Sequence, residues 1–467
     1  MLSKLRKLTA LLLIVVLAFS MVLPQTTNVV QAEEIEFSPD TYQKIIEVDD
    51  WGPSITKLIV NLGEKVSEEE VTKDLYDVFV SRSDSRLEEP LLEEGYRKVT
   101  NAYISDRAGN PVNGISNFIV LELEIGPTIS LGSAMNIDVH TLKNAWTEND
   151  YTITQVTDSG LVIDQSSGEI RELVDEFSTG EATYDGVRLT YADYVPAGDD
   201  DKTPLIIWLH GMAEGGTDPT VTLGANKATN FITDEVQDFY DGAYVLSVQT
   251  PTFWMDGFAS IGDGTSIYED ALMALIKDYV ADNPDIDPTR IYIGGLSNGG
   301  YMTMLMLRDY PDYFAAAIAV AESLEDELIS DEDINNIAKT PLWFVHAAND
   351  SIVDPETTVL PTYERLVDAG ADVHLTYYDD VHDLSGLYTN EDGSPYQYPG
   401  HSSWIHLYNN DPSTVIDGEE ISVLEWVSTK ENPDTATSIF NILILGMLLL
   451  VGGTIVFVIM HKRKINT

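Results

Sequence analysis

The sequence contains no cysteine, so neither a disulfide nor a thiolate-bound metal holds the fold, and its 467 residues must be stabilised by apolar cores. Basic residues are also scarce: 26 Lys and Arg stand against 77 Asp and Glu, a formal charge of −51. A surface of that sign repels phosphates and anionic lipid, which excludes nucleic acid as a partner. The acidity is spread over many segments instead of one tail. It fits adaptation of the whole surface to high salt or alkaline surroundings, and equally an acidic secreted protein. No dinucleotide fingerprint, P-loop or metal-ligand spacing occurs, so no cofactor and no metal is expected. Asp199-Asp200-Asp201 and Asp331-Glu332-Asp333 read as solvated loops.

The two ends carry targeting signals. Lys4, Arg6 and Lys7 precede an apolar run from Leu8 to Leu23 and a small residue, Ala32, which reads as a secretory signal over residues 1–32. Residues 439–460 are apolar and long enough to cross a bilayer, and the basic tail 461–467 stays cytoplasmic by the positive-inside preference. The body of the chain is thus expected outside the cell. Within the stalk 429–438 lies Asn432-Pro433-Asp434-Thr435-Ala436. Motif, apolar span and basic tail in that order resemble a Gram-positive cell-wall sorting signal. The resemblance implies a sortase that cleaves after Thr435 and joins it to cell-wall peptide. Asn432 and Ala436 depart from the commonest form, Leu-Pro-x-Thr-Gly, and the alternative is a plain membrane anchor.

Between the ends, residues 33–160 show short apolar runs and alternations: Ile55 to Val60, Val78 to Val80, Phe118 to Leu123, Ile153-Thr154. Strands at this spacing predict a β-sandwich, with a helix-like interruption from Glu68 to Val78 and a structural role for His140. Residues 161–184 are acidic, poor in apolar pattern, and read as a linker. From 185 to 428 strands and helices alternate, beginning with an edge strand over Leu189 to Pro196. Continuous apolar strands between helical segments predict a mainly parallel sheet covered by helices, with functional loops at the strands' C-terminal ends.

Three groups fall at such ends. Gly295-Leu296-Ser297-Asn298-Gly299 joins the apolar strand at Arg290 to Ile293 to a helix, a turn sharp enough to require residues without a β-carbon around a lifted serine hydroxyl. Asp350 follows the strand Leu342 to Val345, with Asp354 in reserve, and a carboxylate there can orient an imidazole. Of His374, His382, His401 and His406, the base is assigned to His401, since Gly400 permits close approach and Trp404 anchors the next segment. His210, in Leu209-His210-Gly211, reads as stabilising a turn. Oxyanion donors are assigned to the backbone N–H groups of Asn298 and Met212. Trp254, Phe253 and Phe258 are placed either along the cleft or in the packing.

Serine, aspartate and histidine in that chain order resemble the α/β-hydrolase superfamily over residues 185–428. Leu-His-Gly at 209–211, Gly-Leu-Ser-Asn-Gly at 295–299, His346 to Asp350 and Gly-His-Ser-Ser-Trp at 400–404 look like the secreted esterase and depolymerase-like group. A sandwich placed before such a domain resembles esterases with an immunoglobulin-like N-terminal domain. The resemblance implies acyl transfer from an ester substrate through acyl-Ser297, with His401 as base and Asp350 as its orienting acid. A serine peptidase of prolyl-oligopeptidase type and an inactive wall-displayed binding protein are the alternatives. No large insertion like a lipase lid is apparent, which favours short or soluble esters.

Overall fold

A computed structural model describes residues 37–156, 160–198, 202–258 and 261–432. The signal segment 1–32, Asp199-Asp200-Asp201, the sorting residues Pro433 to Ala436, the apolar span 439–460 and the tail 461–467 lie outside the described residues. Among the described residues no helix is long and apolar enough to cross a membrane.

The N-terminal domain is two packed sheets. One holds, in order, strands Gln165–Arg171, Thr41–Asp49, Gly52–Ser67, Ile115–Leu123 and Val99–Ser105. The other holds Val162–Ile163, Glu148–Gln155, Tyr76–Ser83 and Leu91–Arg97. Alternate residues such as Leu58, Val60, Val78, Val80, Ile119 and Ile153 point inward and form one buried cluster. The stretch expected to be helical, Glu68 to Val78, instead forms two short 3-10 turns and the start of a strand. Its charged residues are solvated, while Val71, Tyr76 and Val78 are buried in the core and Leu75 packs against it.

No linker spans 161–184. Gln165–Arg171 pairs in parallel with Thr41 to Ile46, and Ser178–Tyr184 already belongs to the second domain. The crossing is a short turn whose Val174 and Phe177 are buried in the second domain's core.

The second domain is built on eight strands: β1 (Ser178–Tyr184), β2 (Val187–Tyr194), β3 (Thr203–Leu209), β4 (Tyr244–Gln249), β5 (Ile286–Leu296), β6 (Ala316–Val320), β7 (Leu342–Ala347) and β8 (Val373–Tyr378). They lie in the order β1-β2-β4-β3-β5-β6-β7-β8. β1 and β2 run antiparallel to their neighbours and the rest pair in parallel. The strand read as an edge from Leu189 is therefore interior, flanked by β1 and β4, because β1 is too polar to announce itself. Successive side chains alternate between two cores. Leu205, Ile207 and Leu209 meet helices Glu269–Asp282 and Asn298–Asp309 on one face. Ile206 and Trp208 meet Asp234–Tyr240 and Val423–Ser428 on the other. Burial on both faces explains why these strands read as continuous apolar runs. The parallel strands β3 to β8 all deliver the loops that follow them to one edge of the sheet.

Candidate active site

Strand β5 runs through the middle of the sheet and ends at Ser297, whose backbone lies at φ +53 and ψ −114. A non-glycine residue in the positive-φ region costs on the order of 1–3 kcal/mol and persists only where its surroundings impose it. Here the Ser297 N–H donates to Val320 O at 2.7 Å, and Ser297 O accepts from Tyr301 N–H at 3.0 Å, opening the helix. A β-carbon on Gly295 would stand 2.5 Å from the Gly299 carbonyl carbon and 2.8 Å from Leu209 O, and one on Gly299 would run into the Leu209 carbonyl. Both glycines are steric requirements of the turn.

Asp350 and His401 come from the loops after β7 and β8. Ser297 Oγ lies 2.9 Å from His401 Nε2, and His401 Nδ1 lies 2.8 Å from Asp350 Oδ2. Asp350 Oδ1 accepts from the N–H groups of Ile352 at 2.9 Å and Val353 at 3.0 Å. Its Oδ2 accepts a second imidazole, His346 Nε2, at 3.1 Å. Burial alone would raise this carboxyl, but the hydrogen bonds from His346, His401 and Val353 outweigh it and hold Asp350 well below the usual carboxylate range. Asp350 is therefore ionised, acceptor-only, and leaves Nε2 of His401 to accept the Ser297 proton. Gly400 lets the His401 turn press against Asn349, whose amide and carbonyl occupy the space a β-carbon would need.

The other polar residues weighed at this site sit elsewhere. Asp354 is exposed and accepts from Glu356 N–H. His382 pairs with Asp380 at 2.7 Å, His374 lies within β8, 3.6 Å from Asp372, and His406 stacks on Tyr378 at 4.1 Å.

Beside the elbow, the loop after β3 folds back as the turn Met212–Glu214. Glu214, 1 % exposed, accepts from Gly211 N–H at 2.6 Å and from the Asn226 amide. Burial pushes it up to about 8. His210, pushed down to about 4 by burial, donates from Nδ1 to Gly211 O at 2.6 Å and accepts Thr250 N–H at 3.1 Å. It is a neutral turn-stabilising group. Asn298 is the first residue of its helix, where a backbone N–H has no intrahelical acceptor. Its side-chain Oδ1 accepts Trp254 N–H at 2.6 Å. Trp254 is fully buried and donates to His210 O at 3.1 Å, so it packs behind the site, while Phe253 is half-buried. The side chain of Phe258 lies outside the described residues.

Two members of this arrangement were not read from the sequence. His346 was seen only as part of a motif, although its spacing of four from Asp350 puts both on one tight loop. Glu214 lacked any signal beyond being an acid among glycines. Among the described residues no three His, Asp or Glu side chains gather into a metal site.

Residues 41–166 match the esterase Ig-like N-terminal domain, and residues 263–333, which include Ser297, match the prolyl oligopeptidase family. A solved thermostable esterase is 22% identical, aligns over 84% of this chain and 99% of its own, and superposes with a TM-score of 0.67. The poly(3-hydroxyalkanoate) depolymerase C of Paucimonas lemoignei is 30% identical over 134 residues, 27% of this chain. The chain spans 30% of that relative's length. An acylaminoacyl peptidase aligns over 62% of this chain and 49% of its own at 17% identity, with a TM-score of 0.37, too low to bear on substrate. The chain is an immunoglobulin-like β-sandwich followed by an α/β-hydrolase fold. Its Ser297, His401 and Asp350 stand in the arrangement of a serine hydrolase.

Proposed function

We propose that this protein is a secreted, surface-anchored serine carboxylesterase acting on short-chain or polysaccharide-linked esters. The observation that carries the reading is the hydrogen-bonded chain from Ser297 Oγ through His401 to the ionised Asp350. His401 Nε2 takes the hydroxyl proton as Ser297 attacks the ester carbonyl, and Asp350 steadies the imidazolium. The tetrahedral oxyanion is held by the N–H groups of Asn298 and Met212, and the loss of one such donor costs about 3 to 4 kcal/mol. His401 returns the proton to the leaving alcohol, which releases acyl-Ser297. It then activates water on the same path to free the acid.

The test is hydrolysis of p-nitrophenyl acetate, butyrate and octanoate by the protein beside its Ser297→Ala variant. Turnover is expected to be greatest on the short chains and to fall by several powers of ten in the variant. Wild-type turnover by the variant would remove Ser297 from the mechanism. The prolyl oligopeptidase match over 263–333 supports a second reading, a serine peptidase, which peptide p-nitroanilides separate from the first. Anchoring rests on the order of motif, apolar span and basic tail. Protein released by a cell-wall hydrolase should end at Thr435, and any other C-terminus speaks for a plain membrane anchor.

A further inference from the structure

The hairpin turn between Thr41–Asp49 and Gly52–Ser67 enters the catalytic domain. Gly52, at φ +111, turns the chain back, and the tip Asp50-Trp51 sits between two loops of the second domain. On one side Asp50 Oδ1 accepts Lys227 Nζ at 2.7 Å. On the other it accepts Asn409 Nδ2 at 3.2 Å, and the same amide donates to Ile405 O at 2.9 Å. Trp51 stands edge-on to Tyr388, with ring centroids 4.8 Å apart. Its indole N–H donates within its own domain to Ser54 Oγ at 3.2 Å.

Trp51 thereby reaches the segment that carries His401. From the end of β8 to Gly400 that segment has little regular structure beyond a two-residue ladder, Val381-His382 with Gln397-Tyr398. Its hold is a buried cluster of Ala347, Val381, Tyr398 and Ile405, against which Trp51 and Trp404 pack. Ala347 ends β7, and its carbonyl accepts the Asp350 N–H at 3.1 Å. Trp404 stands edge-on to His401 at 5.3 Å. One cluster therefore underlies both the acid and the base. Beside it lies a cavity of about 410 Å³ lined by Trp51, Tyr388, Asp383 and Lys227, so few atoms back the loop on that side once the indole is removed.

We propose that Trp51, a residue of the N-terminal domain, is a positioning residue of the active site: it holds the His401 loop so that Nε2 stays within hydrogen-bond reach of Ser297 Oγ. The proposal rests on the serine-hydrolase reading of the site. A misplacement of about 1 Å at a reacting group costs roughly a hundredfold in rate.

The test compares the full chain with Trp51→Ala, Trp51→Phe and Lys143→Ala. Lys143 Nζ makes a different interdomain contact, to Pro251 O at 2.7 Å, and serves as the control for domain docking. Two readouts are taken, kcat and KM on p-nitrophenyl acetate and the low-field NMR resonance of the His401 Nδ1 proton. Trp51→Ala should lose about ten- to a hundredfold in kcat with KM within about twofold, and its resonance should broaden or shift. Trp51→Phe should recover most of both, and Lys143→Ala should match wild type. The proposal is overturned by an unchanged kcat and resonance in Trp51→Ala, or by an equal loss in Lys143→Ala. A wild-type protein that shows the resonance yet hydrolyses no ester removes the esterase reading instead, and the resonance alone then decides the role of Trp51.

Discussion

The elbow and the His401 loop meet at one oxygen and are held by opposite means. At the elbow the constraint is backbone against backbone: Gly295, Gly299 and the Leu209 carbonyl leave no room for a single added carbon, and Val320 O fixes the strained Ser297 amide. The His401 loop is held by side chains from distant parts of the chain, with Trp51 on one flank and Ala347 beneath. Steric closure of the first kind fails all at once, whereas packing of the second kind loosens in steps. A serine that must sit at φ +53 needs the first kind. An imidazole that must swing a proton between two oxygens is served by the second.

The hardest break should come at the elbow. Gly299→Ala drives a methyl group into the Leu209 carbonyl, so the expected outcome is loss of both soluble protein and activity, with destabilisation on the order of 4 kcal/mol or more. A variant that melts within a few degrees of wild type would show that β3 can yield. Next comes the acid. Asp350→Asn keeps the shape but no longer steadies the imidazolium, and kcat should fall by roughly 10⁴ while Asp354→Asn stays within about twofold. Equal losses in the two variants would mean that the loop after β7 rearranges in the working enzyme.

The mildest effects lie in pH dependence. Glu322, behind the elbow, is 1 % exposed, accepts Leu324 N–H at 2.8 Å and is pushed by burial up to about 8, as Glu214 is in the turn after β3. In the unfolded chain such carboxyls ionise near 4.5. Between these values the folded state binds protons that the unfolded state has lost, so this stabilisation is full below about 4.5 and declines as pH rises toward 8. His210 works in the opposite sense. Held neutral down to about 4, it contributes stability above 6.5 that is lost as pH falls. The melting temperature should therefore drop from pH 6.5 to 8.5, and Glu322→Gln should flatten that drop. Parallel curves for the two proteins would show that Glu322 ionises normally.

Legibility followed the range of the forces. The sharp turn at Ser297 could be read from five residues because its steric constraint is local, whereas a catalytic reading of it needed the motifs after β3, β7 and β8 as well. β3 to β7 could be read because burial on both faces leaves largely apolar runs. Gln165–Arg171 escaped notice for the converse reason. It is a polar strand at the edge of its sheet, and only its pairing with Thr41 to Ile46 makes it one. β1 was missed on the same ground, and with it the true position of β2. His374, His382, His401 and His406 all lie beyond β7, as do Asp350 and Asp354, and local cues such as Gly400 and Trp404 could rank these candidates but not place them.

The sequence by itself determined the fold class, the order of serine, acid and histidine, and the sharpness of the turn at Ser297. These depend on side-chain periodicity and on the space around a glycine, which act over a few residues. Only the tertiary structure decided that His346 shares the Asp350 carboxylate, that Glu214 braces the loop after β3, and that the N-terminal domain reaches the His401 loop through Asp50 and Trp51. Those contacts join residues far apart in the chain. No local pattern encodes them, because the loss of chain entropy that such contacts require is offset only when whole domains pack.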